Sequence, residues 1–165
     1  MWIVGYNIII YKKAWERIGL EKITQTEADG MLTMLKESLT QEITFPASGQ
    51  QLEFKVKGKI NSNVFAINIY QGKIQKAKYN IGARIEVNGT MLLELHIGAT
   101  NIHWNPDGEK IIGNHWHIFH NGLERKWAFP AEDIQSDMFV ENTIMFLEKF
   151  NVVDKPEIVY QQELL

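Results

Sequence analysis

The sequence contains no cysteine. A disulfide framework and a thiolate metal site are therefore excluded, and a reducing compartment, the cytoplasm first, is permitted. Proline is scarce, four in 165 residues, and no low-complexity tract, internal repeat or interdomain linker breaks the chain. Long hydrophobic runs are missing too. The apolar run from Trp2 to Tyr11 falls far short of the about 20 residues needed to span a bilayer. It has no basic segment before it and no small-residue cleavage site after it, so a secretory signal is not expected. It reads as an edge strand or a docked tail, and no membrane partner is called for.

What remains is the composition of an ordinary globular protein, 45% apolar and 22% charged. At this length one domain is the economical expectation, with residues 1–22 as an extension, 23–130 as the main body and 131–165 as a closing helix and tail. The net charge of −3 hides an uneven distribution. Residues 53–85 carry seven basic side chains against one acidic, whereas residues 86–165 carry five against thirteen. A basic block inside an acidic protein is a candidate surface for a polyanion such as RNA.

Thr24 followed by Glu27 forms a capping box, with Ile23 placed as a hydrophobic staple. Ala28, Met31, Leu32, Leu35 and Leu39 then repeat at helical spacing, which predicts a helix over 24–39. Residues 12–20 predict a shorter helix ended by Gly19. From Glu42 the period becomes alternating: Leu52, Phe54 and Val56 interleave with Glu53, Lys55 and Lys57. Asn88-Gly89 predicts a tight hairpin between 84–87 and 91–97, and Asn121-Gly122 predicts another between 111–119 and 125–129. A last helix over 138–150, capped by Ser136 or Asp137, is apolar on more than one side, and Asn151 suits the left-handed position after it. The expected fold is α+β: an N-proximal helix, an antiparallel meander of about five to seven strands, and a C-terminal helix packed on the sheet.

All five histidines fall between His96 and His120, together with Trp104 and Trp116. Strand alternation puts His115, His117 and Phe119 on one face, and Trp116, Ile118 and His120 on the other. A His-x-His pair can chelate a metal if His96 or His103 supplies a third ligand. No carboxylate stands at tight ligand spacing near His115, however, and the leading expectation uses neither metal nor cofactor. In it, His115 and His117 act as acid and base on a ribose 2′-hydroxyl, and Arg84, Arg125 or Lys126 stabilises the phosphoryl charge. Lys55, Lys57, Lys59, Lys76 and Lys78 would then attract the RNA backbone, and Trp104 and Trp116 would stack bases. A half-buried sheet with hydrogen-bonded imidazoles, its lysines a solvated face, is the structural alternative.

Asn105-Pro106-Asp107-Gly108-Glu109, His115-Trp116-His117-Ile118, Gly122 and Lys126-Trp127-Ala128-Phe129-Pro130 together resemble the signature of a small uncharacterised bacterial protein family. The resemblance covers about Ile23 to Pro130. It carries no activity, but such proteins resemble phage and other mobile-element cargo. Two expectations follow from that setting. One is a toxin-like, metal-independent endoribonuclease. The other is a non-enzymatic inhibitor that presents the acidic surface to a host defence complex, in the manner of an anti-CRISPR protein.

Overall fold

The computed structural model describes residues 23–75 and 77–160. The expected N-terminal strand, the short helix over 12–20 and Lys76 lie outside the described residues. Among the described residues, two helices and a mostly antiparallel sheet make the fold α+β. No helix among the described residues is long and apolar enough to cross a membrane.

Helix α1 (Gln25–Thr33) starts where the capping box predicts. The Thr24 hydroxyl accepts from the Glu27 N–H at 3.2 Å, and the Glu27 carboxylate accepts from the Thr24 N–H at 2.8 Å. It ends six residues earlier than the apolar stripe suggests. Met34 is extended, and the chain enters strand β1 (Lys36–Ser38). Leu35 and Leu39, expected in the core, are 50% and 51% exposed. The buried residue here is Lys36. Its Nζ donates to the carbonyls of Met34 and Phe150, each at 2.8 Å, and of Leu32 at 3.4 Å. The ammonium also lies 4.1 Å from the Phe150 ring centre. One cation thus satisfies carbonyls where both helices end, and that competition ends the helical pattern early.

After β2 (Glu42–Thr44) comes the meander: β3 (Gln51–Gly58), β4 (Val64–Gln71), β5 (Tyr79–Ile85) and β6 (Met91–Ile97). The Asn88-Gly89 turn forms as expected, with Gly89 at φ 75°. A separate hairpin, β7 (Ile102–Trp104) and β8 (Lys110–Ile112), flanks the Asn-Pro-Asp-Gly turn. Residues 111–119 are therefore not one strand: Gly113, at φ 93°, divides β8 from β9 (His115–Ile118). β10 (Phe129–Pro130) follows, then helix α2 (Phe139–Lys149), β11 (Val152–Asp154) and β12 (Glu157–Val159). The main sheet runs β10-β9-β6-β5-β4-β3-β1-β11: seven strands joined antiparallel, within the expected number, and an eighth, β11, paired in parallel with β1. Met138, not Ser136 or Asp137, stands at the start of α2 and makes no side-chain cap. Asn151 takes the expected left-handed conformation, φ 59°.

The sheet has two unlike faces. Phe65, Ile67, Ile81, Leu95 and Trp116 form the core with Ala28, Phe146 and Phe150 of the helical segments. The Phe65 ring meets Phe150 edge-on at 5.4 Å, and Trp116 stacks on Phe146 at 6.0 Å. Burial of each such ring contributes about 1.5–3 kcal/mol. The opposite face is polar. Register aligns Asn80, His96 and His115 in one row across β5, β6 and β9, and Gly82, Glu94 and His117 in the next. This polar face carries the candidate site.

Candidate functional site

Four of the five histidines converge on the polar face. His115 and His117 project from β9, His96 from the neighbouring β6, and His103 from the hairpin above them. Ring centres lie 5.0 Å apart for His115–His117, 5.1 Å for His96–His115 and 4.8 Å for His96–His117. His103 stands 4.9 Å from His117 and 5.8 Å from His115. One ring nitrogen each of His96, His115 and His117 lies within 4.8 Å of the others. Both β9 imidazoles are only 2% exposed.

Each ring has one nitrogen engaged by an oxygen acceptor. His115 Nδ1 pairs with the Gly113 carbonyl at 2.9 Å, and His117 Nδ1 with the Trp127 carbonyl at 2.8 Å. His96 Nε2 lies 3.3 Å from the Glu94 carboxylate, and His103 Nε2 3.0 Å from the Lys126 carbonyl. An acceptor oxygen fixes the proton on the engaged nitrogen, so the second nitrogen of each ring keeps a lone pair. Backbone carbonyls and a carboxylate in that position are the outer partners that orient metal-ligating histidines. Burial lowers the pKa of His115 and pushes that of His117 down to about 4, against the opposing effect of their carbonyl bonds. Both rings are thus neutral at pH 7, the form a cation needs.

Glu94 anchors the arrangement. Burial works to raise its pKa, but bonds from His96 and Arg125 outweigh it, and the carboxyl is held below its ordinary range. Arg125 grips it bidentately, at 2.6 and 3.0 Å. Asn105 fixes the far side by closing two hydrogen bonds on the backbone of Ala128, at 2.8 and 3.1 Å. The three sequence blocks around Asn105, His115 and Lys126 therefore meet at one place. A family model described as a family of unknown function, DUF6978, matches residues 23–152. The chain belongs to this family. Within the DUF6978 match lie strands β5, β6, β9 and β10, all four clustered histidines, Glu94 and Asn105. Neither a curated protein nor a solved structure matches the chain.

The remaining sequence candidates disperse. Arg84 is on β5, paired with Glu53 at 2.7 Å, and β6 separates it from the histidine strand β9. Arg125 serves Glu94, while Lys126 contributes its carbonyl and leaves its side chain exposed. Lys55, Lys57 and Lys59 are paired with Glu86, Glu37 and Asp154, so that side of the basic block is largely neutralised in place. Lys78 is partly buried. Trp104 is open to solvent, 62% exposed, with the Lys110 ammonium 5.5 Å from its ring. Trp116 lies on the core face, stacked on Phe146, and offers no platform for a base. Phe119, expected beside the histidines, joins the core because β9 ends at Ile118. One member of the site, Glu94, was not singled out in the sequence, and Asn105 was named only as part of a turn. Glu94 carried a signal, a lone charge between Leu93 and Leu95 in an apolar strand. Asn105 stood in the Asn105–Glu109 signature block, with nothing in the sequence to show that it would bond to Ala128.

Proposed function

We propose that this protein is a metalloprotein in which His96, His115 and His117 hold one divalent transition-metal ion. The observation that carries the reading is the convergence of three imidazoles, each with one nitrogen already engaged by an oxygen acceptor. Nitrogen ligands of this kind suit zinc, copper, nickel or iron. The objection read along the chain was the lack of a nearby carboxylate. Across the sheet that objection weakens, since Glu94 stands behind His96. The metal-free ribonuclease receives less support: a pair of buried, neutral imidazoles lacks the protonated partner that must deliver a proton to the leaving oxygen.

Protein purified without an affinity tag should contain about one zinc-class ion per chain, and His117→Ala should lose it while keeping its circular dichroism. Folded wild-type protein that neither carries such an ion nor takes one up on titration would sink the reading.

A second reading is favoured by a separate observation and is compatible with the first. Glu132, Asp133 and Asp137 are exposed, and none forms an ion pair among the described residues. This free acidic stretch supports the inhibitor role, with docking into the basic channel of a nucleic-acid-guided complex. Co-expression with such an effector should protect a target plasmid, and changing all three residues to Lys should abolish protection by slowing association. Protection that survives the triple reversal would rule this interface out.

A further inference from the structure

We propose that His103 is the fourth ligand of the histidine centre, and that the bound ion latches the β7–β8 hairpin onto the main sheet. The inference rests on the metal reading above and adds to it a closed coordination shell with a mechanical role.

Four imidazoles around one tetrahedral ion, with metal–nitrogen bonds of about 2.0–2.1 Å, have ring centres roughly 5 Å apart. Five pairs among the four rings here stand at 4.8, 4.9, 5.0, 5.1 and 5.8 Å. The longest of these five is His103 to His115, His96 and His103 are not in ring contact, and His103 stands outside the three rings whose nitrogens lie within 4.8 Å of one another, so completing the shell asks the hairpin to settle inward while the sheet stays still. The Lys126 carbonyl engages His103 Nε2 at 3.0 Å, which leaves Nδ1 as the ligand atom. His103 is thus prepared as the other three rings are, with one nitrogen bonded to an oxygen and the other free.

The hairpin needs such a tie. It is a two-stranded sheet of its own, with no strand pairing to the eight-stranded sheet. An isolated pair of strands is marginal in water. Register pairs His103 with Ile111, while Ile102 pairs with Ile112 and Trp104 with Lys110. Ile111 is buried, whereas Ile102, Trp104 and Ile112 are exposed. His103 and Ile111 accordingly form the inner side, and the three exposed apolar residues the outer one. Asn105, held to the Ala128 backbone by two hydrogen bonds, is the hinge. Metal binding through His103 fixes the free side of this hinge and sets the position in which the outer apolar surface is displayed.

The test titrates full-length, tag-free protein with Co2+ and follows its visible absorption. Wild type should bind one ion with the intense bands of a tetrahedral site, and added azide should leave those bands unchanged. His103→Ala should bind about 10–100-fold more weakly, lose intensity and respond to azide, since a coordination position has opened. Amide exchange over 102–112 should slow at least about tenfold on metal addition in wild type and stay unchanged in His103→Ala. A wild-type spectrum that already shifts with azide, or a His103→Ala protein that binds as wild type does, overturns the latch and leaves the three-histidine centre standing. Folded wild type that binds no Co2+ overturns the metal reading and the latch together.

Discussion

Removing the metal with a chelator is expected to lower the melting temperature of this protein by about 8–16 °C. A ligand that binds only the folded state stabilises it by about 4.1 kcal/mol when present at a thousand times its dissociation constant. For a chain of 150–250 residues, each kcal/mol moves the midpoint by about 2–4 °C. The effect should be large here because the ligands come from separate elements, β6 and β9, and the unfolded chain has no assembled site to compete for the ion. Scanning calorimetry with chelator and with excess zinc measures the difference directly. His117→Ala should melt near the chelated value and ignore added zinc. Equal midpoints for chelated and zinc-loaded wild type would contradict the proposed centre.

The second large effect concerns Lys36 and pH. Burial pushes its pKa down to about 7 from the ordinary 10.5. The unfolded chain therefore binds the extra proton between these two values, and stability rises with pH across that window. Below about pH 7 the ammonium is charged in both states and the contribution is flat. A shift of that size corresponds to at most about 5 kcal/mol over the window. The three carbonyls and the Phe150 ring around Nζ favour the charged form, so the measured rise should be a fraction of that ceiling. Urea unfolding at pH 7 and pH 10 should show it in wild type. In Lys36→Met the rise should vanish, and at pH 7 the variant should lose about 1–3 kcal/mol because helix-end carbonyls are left without a donor. A Lys36→Met protein with the wild-type pH profile would show that Lys36 is not the titrating group.

Local rules were legible wherever one short stretch decided the outcome. Thr24 and Glu27 located the start of α1, Asn88-Gly89 located a hairpin, and the alternation at His115 and His117 located the strand that carries the site. The end of α1 was not legible, because Leu35 and Leu39 extend the apolar period while the decisive contacts, Lys36 to Met34 and to Phe150, include one reaching 114 residues down the chain. The partners of the basic block were not legible for the same reason. Lys55, Lys57 and Lys59 read as a free cationic surface until Glu86 arrives from the turn after β5, Glu37 from β1 and Asp154 from β11. Trp116 misled differently. Its place on the face opposite the histidines followed from alternation, but which face meets the helices is set by the whole sheet.

The parallel pairing of β1 with β11 has a consequence for the order of assembly. β1 cannot gain this neighbour until nearly the whole described chain exists, and contacts so distant in sequence form late because loop closure must be met first. Every ligand and outer partner of the histidine centre, by contrast, lies between β6 and β10, in residues 91–130. During synthesis, which runs from the N-terminus at about 5–20 residues per second, that segment emerges before α2 and β11 do. The four histidines of the proposed centre are therefore all in place while the far edge of the sheet is still open, and the strands that carry them can serve as the template on which the rest of the domain closes.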